Sequence, residues 1–222
     1  MDSIKPHPAR YTKSIMATIE EKLADYLQPG QAILDPFAGT GLLLGRLAIK
    51  YQAVGIELEP EWALQSPQVR IGDALNLGPD LADYFDAVVT SPAYGNRMAD
   101  HHEAKDTSKR NTYRHQLGRP LSPNSSGKMQ WGIAYQEFHA KAWAEVYRVL
   151  KPSGYFFINV KNHIRKGEVI DVAGWHFCQL QENGFNLIKD PILIRTPGNR
   201  FGRNGQARVD HELLAVFQKE NK

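Results

Sequence analysis

Two short runs carry residue types that can do chemistry. The first is Asp35-Pro36-Phe37-Ala38-Gly39-Thr40-Gly41, lying between an apolar stretch and a periodic one. Glycines at a strand-to-helix turn let the backbone approach a ligand at the carboxyl end of the strand, where open α/β sheets bind ligands. Twenty-two positions beyond Asp35, Glu57 ends the next apolar run. A carboxylate there can accept hydrogen bonds from both hydroxyls of a ribose. This pattern alone fits any nucleoside site of that kind, nicotinamide cofactors included, or a tight turn with no ligand. The spacing Gly39, Gly41, Gly45 is GxGxxxG, not the dinucleotide GxGxxG. The acid ahead of the glycines is also unfavourable for a pyrophosphate. A cationic sulfonium cofactor with a free amino group suits it better. The second run is Thr90-Ser91-Pro92-Ala93-Tyr94-Gly95-Asn96-Arg97. A Ser91 hydroxyl can accept a hydrogen bond from an amino group. Pro92 stiffens the turn and leaves its carbonyl as an acceptor. Tyr94 offers a ring on which a base drawn out of its helix can stack. On its own, this run could equally be a plain strand-ending turn.

These residues need a frame to hold them, and the chain predicts one. Ala32 to Asp35 reads as a buried strand and Leu42 to Tyr51 as a helix. Ala53 to Glu57 reads as a second strand, and Pro60 to Ser66 as a short helix opened by proline. VRIGD and FDAVVTS are further strands. Strands alternating with helices argue for βαβ units and a parallel sheet. From Gly95 to Gln130 no period is visible, and a loop of that length is usually functional or disordered. Order returns with a helix over Ala134 to Lys151, ended by Pro152 to Gly154, and a strand YFFINV. A helix VIDVAGWHFCQLQENG follows, ending at Gly184, then a strand over Phe185 to Ile194 with a proline break. After a Gly- and Arg-rich segment from Arg195 to Arg208, Val209 to Lys219 reads as the closing strand. Trp131, Tyr135 and Trp143 read as core.

Composition narrows the class. The 222 residues are 42% hydrophobic and 23% charged, enough for a real core. Net charge is +3, which permits a polyanionic partner without demanding one. One cysteine, Cys178, excludes an internal disulfide and suits a reducing cytoplasm. The first residues show no apolar leader and no run approaches 18 apolar residues, so the expectation is a cytoplasmic protein off the membrane. His101, His102 and His115 lack the cysteine or carboxylate spacing of a metal site, so none is expected.

Together the two runs resemble those of the DNA amino-methyltransferases, the S-adenosylmethionine-dependent family that makes N4-methylcytosine and N6-methyladenine. DPFAGTG resembles the family's cofactor motif. SPAY resembles its catalytic tetrapeptide, usually SPPY, DPPY or NPPY. Asp73, in IGDAL, stands where the family contacts the cofactor adenine. His7 to Ile15 (HPARYTKSI) resembles the segment that packs against the methionine part of the cofactor. HELLAVFQK resembles the family's antiparallel last strand. The matches span Pro6 to Lys219. The resemblance implies a Rossmann-like α/β fold of seven strands, the last antiparallel, in a single methyltransferase domain over 1–222. It implies S-adenosyl-L-methionine held by His7, Asp35, Phe37, Gly39, Gly41, Glu57 and Asp73. Ser91, Pro92 and Tyr94 then form the catalytic turn.

Ala93 departs from the usual second proline and makes the turn less rigid. No separate target-recognition domain is visible, so readout falls to the loops 95–130 and 195–208. Between Arg97 and Lys128, seven basic residues face three acidic ones, leaving +4. The second loop holds Arg195, Arg200, Arg203 and Arg208 with no acid. Arginine suits phosphate and guanine contacts, which makes Arg97, Arg110, Arg114, Arg200 and Arg203 the DNA-binding candidates and double-stranded DNA the expected partner. Solvated surface loops are the plain alternative. Methylation at carbon 5 of cytosine needs a cysteine nucleophile, and Cys178, on the apolar face of a helix, reads as core. A serine opening the tetrapeptide favours cytosine N4 over adenine N6. The competing readings are an RNA base-amine methyltransferase, a nicotinamide-dependent oxidoreductase, and a non-catalytic nucleic-acid-binding protein that kept the fold.

Overall fold

The computed structural model describes residues 5–99, 112–196 and 209–221. Its first helix, α1 (Lys13–Tyr26), is capped by the Thr12 side chain, which accepts from the Ile15 amide at 3.3 Å. The chain then alternates: β1 (Ala32–Asp35), α2 (Leu42–Leu47), β2 (Gln52–Glu57), α3 (Pro60–Ala63), β3 (Val69–Ile71) and β4 (Phe85–Thr90). A short helix, α4 (Tyr113–Leu117), precedes the long α5 (Ile133–Val149), which runs directly into β5 (Leu150–Val160). A hairpin of β6 (His163–Arg165) and β7 (Glu168–Ile170) leads to α6 (Val172–Glu182). The chain closes with β8 (Phe185–Leu187), β9 (Ile192–Arg195) and β10 (His211–Lys219).

The main sheet has the order β3-β2-β1-β4-β5-β10-β8, with β9 also on β10. The first five strands are mutually parallel, and β10 is antiparallel to β5, β8 and β9. The expected doubly wound sheet with an antiparallel last strand is therefore present, with eight strands in place of seven. The eighth arises at the proline break: Pro191 cannot donate to a ladder, so the run Phe185 to Ile194 becomes two strands that both pair with β10.

Alternation along the strands builds a core on each face. Leu34, Val88, Phe156 and Ile158 pack with Tyr135, Trp143, Val146 and Val149 of α5 and with Val172, Ala173 and Leu180 of α6. Ile33, Ala87, Val89 and Phe157 pack on the other face with Ile15, Ile19 and Leu23 of α1 and Leu43 and Leu47 of α2. Each large apolar side chain so buried contributes about 1.5–3 kcal/mol. The chain reaches β3 at one edge and then crosses back to set β4 beside β1. The strand order thus reverses between β1 and β4, and a crevice forms outside their carboxyl ends.

Several expectations are corrected. Helix α1 had no forecast. The helix read from Val169 begins only at Val172, because Glu168–Ile170 pairs with His163–Arg165 and Asp171 caps α6 by accepting from the Gly174 amide at 3.0 Å. Cys178 is exposed, not core. The buried face of α6 is set by Ala173, His176 and Leu180, and a residue two positions past His176 points away from it. Among the described residues, the stretch read as periodless contains α4 and two 3₁₀ turns, Arg97–Ala99 and Ser126–Lys128. Among them too, no helix is long and apolar enough to cross a membrane.

Candidate active site

The crevice holds a cavity of about 310 Å³, lined among others by His7, Phe37, Gly39, Glu57, Asp73, Ser91 and Tyr94. That is within the size range of small-molecule sites. Seven of the ten residues that the sequence nominates for cofactor and catalysis thus line one cavity. Asp35, Gly41 and Pro92 lie behind it.

Asp35 ends β1 with 2% of its surface exposed. Its Oδ1 accepts from the Phe37 amide at 3.0 Å and from the Thr90 hydroxyl at 2.6 Å. It therefore clamps the ends of β1 and β4 together across the switch point. Burial pushes its pKa up to about 7, against the pull of those two donors. Gly41 caps α2 in the left-handed region, at φ +69°. A Cβ there would sit 2.6 Å from Ser66 Oγ and 2.7 Å from a Val69 methyl. Its glycine is required by close packing under the turn.

Glu57, at the end of β2, reaches back into the glycine turn. Its Oε2 accepts from the Gly39 amide at 3.0 Å and its Oε1 from the Glu59 amide at 2.9 Å. Each oxygen keeps a second lone pair, so the carboxylate is pre-aimed to accept from two adjacent hydroxyls. Burial raises its pKa to about 7. Asp73 accepts from the Leu75 amide and from Asn124 Nδ2, both at 2.9 Å, which brings the 124–127 turn to the cavity wall. His7 packs edge-on against Trp62 and Tyr113, and its Nδ1 hydrogen-bonds the Ala9 carbonyl. Burial holds its pKa down at about 4. Phe37 meets Phe138, His139 and Trp143 of α5. Tyr11 also lines the cavity, and its buried hydroxyl stands beside the Ser91 hydroxyl without a hydrogen bond of ordinary length. An orphaned donor is costly, so this wall suits a ligand that brings an acceptor. Glu57 suits one that brings a diol.

The Ser91–Gly95 turn is held from several directions. The Ala93 carbonyl accepts from Tyr135 Oη at 2.6 Å. Tyr135 in turn bonds His176 Nε2 at 2.8 Å, and His176 Nδ1 accepts from Trp143 Nε1 at 3.0 Å. Because Nδ1 accepts, the neutral imidazole carries its proton on Nε2 and donates to Tyr135. Burial keeps this histidine neutral. Gly95 has φ +61°, and a Cβ on it would lie 2.8 Å from the Trp131 amide nitrogen. That amide donates to the Gly95 carbonyl at 2.8 Å. Ala93, where the resemblance expects a second proline, is thus stiffened from outside. The Pro92 carbonyl takes no hydrogen bond from the described residues. Ser91 Oγ lies 2.7 Å from Tyr94 Oη, which donates to Glu212 Oε2 at 3.0 Å. Glu212 and Lys161 line the cavity too, and the sequence reading gave Glu212 no role at the site.

The basic loops are described in part. Arg97 opens the Arg97–Ala99 turn, next to the cavity-lining Asn96 and Met98. Arg114 is exposed on α4. Arg110, Arg200 and Arg203 lie outside the described residues. Arg119, counted in the +4 of the first loop, is already engaged. It makes a two-pronged pair with Glu61, at 2.7 and 2.6 Å, and meets the fully buried Glu59 at 2.9 Å. These contacts, with Ser122 donating to Glu59, tie the 119–122 segment to α3. Among the described residues no cluster of His, Cys, Asp and Glu could hold a metal.

Solved structures with this fold include a SAM-dependent methyltransferase of Methanosarcina mazei, 15% identical with TM-score 0.59. The alignment covers 90% of this chain and 98% of that one. A putative sarcosine dimethylglycine methyltransferase of Galdieria sulphuraria is 13% identical with TM-score 0.60, covering 97% and 92%. A Burkholderia thailandensis 1,6-didemethyltoxoflavin-N1-methyltransferase with bound S-adenosylhomocysteine is 16% identical with TM-score 0.52, covering 92% and 76%. No curated protein sequence matches the chain. The family match and the fold support a methyltransferase with S-adenosyl-L-methionine as cofactor. The model of the DNA methylase family matches residues 85–222, and the chain belongs to that family.

Proposed function

We propose that this protein methylates an exocyclic base amine in double-stranded DNA, cytosine N4 in preference to adenine N6. The observation that carries the reading is the pairing, at one crevice, of the Ser91 turn with the Glu57-closed glycine turn. The Pro92 carbonyl, without a hydrogen-bond partner among the described residues, belongs to that same turn. In this reading Glu57 accepts from the ribose hydroxyls of S-adenosyl-L-methionine, and Asp73 faces its adenine. Phe37, the Gly39 backbone and His7 shape the wall, and Tyr11 closes the end nearest Ser91. The cofactor supplies an electrophilic sulfonium methyl group.

An amine conjugated to a base ring is a weak nucleophile, because its lone pair is delocalised. Hydrogen bonds from its two hydrogens to Ser91 Oγ and the Pro92 carbonyl localise that pair on nitrogen. Tyr94 stacks on the flipped base. Attack is direct and positioning supplies most of the rate. No covalent enzyme adduct is required, in keeping with a cavity lining that has no cysteine. Ser91 as the opening residue supports cytosine. Arg97, Arg114 and, outside the described residues, Arg110, Arg200 and Arg203 meet the phosphates. The whole chain then acts as one methyltransferase domain, with its loops as the recognition elements.

The test is incubation with methyl-labelled S-adenosylmethionine, unmethylated duplex DNA and bulk RNA in parallel, followed by mass spectrometry of the nucleosides. N4-methylcytosine in DNA is the expected product. N6-methyladenine in DNA would correct the base. Label in RNA alone would overturn the DNA assignment, and label in neither, with cofactor bound, would overturn catalysis.

A further inference from the structure

We infer that Glu212, at the start of β10, orients the hydroxyls of the catalytic turn and receives the proton that the methylated amine must lose. The inference rests on the reading of Ser91 given above. Glu212 lines the cavity, and its Oε2 accepts from Asn159 Nδ2 at 2.6 Å and from Tyr94 Oη at 3.0 Å. Asn159 is 1% exposed, and its amide is placed with nitrogen toward Glu212 and its Oδ1 buried without a partner; an amide oxygen at that distance would repel an ionised carboxylate. The same Nδ2 lies 3.2 Å from Tyr94 Oη, on the side that faces Glu212, so the two oxygens share that edge of the amide.

The polarity of the whole chain follows. Three acceptors lie within reach of the single Tyr94 hydrogen, Glu212 Oε2 at 3.0 Å, the Asn159 carbonyl at 3.5 Å and Ser91 Oγ at 2.7 Å, and the charged carboxylate is the strongest of them. The Tyr94 oxygen then can only accept from Ser91, 2.7 Å away. With its own hydrogen spent on Tyr94, Ser91 Oγ offers only lone pairs to other donors, the neighbouring Tyr11 hydroxyl and an incoming amine. Without the anion both hydroxyls are free to reverse, and Ser91 could present a hydrogen to the amine instead.

The proton balance uses the same path. As the nitrogen–carbon bond forms, the carbon–sulfur bond breaks and its electron pair stays on sulfur. The nitrogen is left with a positive charge and an extra proton. That proton passes to Ser91 Oγ, the Ser91 proton to Tyr94 Oη, and the Tyr94 proton to Glu212 Oε2. Glu212, half-buried at the cavity wall, returns it to water.

Two variants isolate the device in the full chain with duplex DNA. Glu212→Gln retains an acceptor for Tyr94 but no base. Tyr94→Phe keeps the ring and removes only the hydroxyl. Each is expected to lower the single-turnover rate about 10- to 100-fold. Cofactor Kd and duplex KM should stay within about 2-fold of the parent. The double variant should be no slower than the slower single, since links of one relay are not additive. Ser91→Ala separates the two levels. If it is inactive while Glu212→Gln turns over at the parent rate, the relay is overturned and the methyltransferase reading stands. If Ser91→Ala is fully active, both fall. Additive losses, or losses confined to Kd, would make Glu212 a packing residue and overturn the inference. Should Glu212→Gln not fold, Tyr94→Phe decides on the same criteria.

Discussion

The two walls of the crevice are built by contacts of very different reach. On the cofactor side, Phe37 bonds Asp35 two positions away and Gly39 bonds Glu57 eighteen positions away. On the catalytic side, Tyr135 reaches Ala93 across 42 positions, Asn159 reaches Tyr94 across 65, and Tyr94 reaches Glu212 across 118. The centre of the first wall is a local device, a strand, a glycine turn and the acid at the end of the next strand, braced at its rims by Thr90 on Asp35 across 55 positions and Asn124 on Asp73 across 51. The second is a turn with little rigidity of its own, made stiff by α5, α6 and the last strands. Ala93 is tolerable for that reason. A second proline would stiffen the chain from within, and the Tyr135–His176–Trp143 chain does so from behind.

This contrast can be broken by substitution. The largest effect should come from Ser91→Ala, which removes a side-chain acceptor meant to act at the reacting nitrogen. Turnover should fall about 100-fold or more, with cofactor affinity almost unchanged; single-turnover assays and calorimetry separate the two. Glu57→Ala should do the reverse. Loss of charge-assisted bonds worth about 1.5–3 kcal/mol weakens cofactor binding roughly 10- to 100-fold, while turnover at saturating cofactor changes little. Calorimetry showing unchanged affinity would remove Glu57 from the site.

Tyr135→Phe tests the support behind Ala93. It strips a donor from a buried carbonyl and a partner from His176, at a cost of about 1–3 kcal/mol in stability. Thermal unfolding should register it, with a several-fold loss of turnover and no loss of cofactor affinity. A smaller effect is expected from Asp35→Asn, and its sign follows from titration. Burial raises the Asp35 pKa from 3.8 to about 7, so folding favours the protonated form. Its contribution is fully present below about pH 4 and is lost as pH rises through about 7. An asparagine keeps an acceptor for both Thr90 and Phe37 and does not ionise. The variant should therefore gain Tm over the parent between pH 5 and 8, read as the difference between the two melting curves. Retained cofactor affinity would make Asp35 a clamp between β1 and β4. Lost affinity would mean that its carboxylate touches the cofactor after all.

Much of this was legible in the residues. Strand runs, the glycine turn, the acid on β2 and the Ser91 turn are short-range patterns, and each stands in the structure near its expected bounds. Helix α1 escaped notice although its apolar residues Ile15, Met16, Ile19 and Leu23 fall at helical spacing. Arg119 read as a free cation because nothing local reveals Glu59 and Glu61, about 60 positions earlier, as its partners. Cys178 was misplaced because an apolar run does not say which side of a helix is covered.

The sequence by itself determined which elements form and which residues carry chemistry, since hydrophobic period, turn residues and motif spacing act over a few positions. Only the tertiary structure decided who stands beside whom at the crevice. The return of β4 to β1 puts Asp35 against Thr90, and the antiparallel insertion of β10 beside β5 delivers Glu212 and Asn159 to Tyr94. Those neighbours come from chain closures of tens of residues. Their pairing is chosen by sheet order and by burial on both faces, which no local pattern encodes.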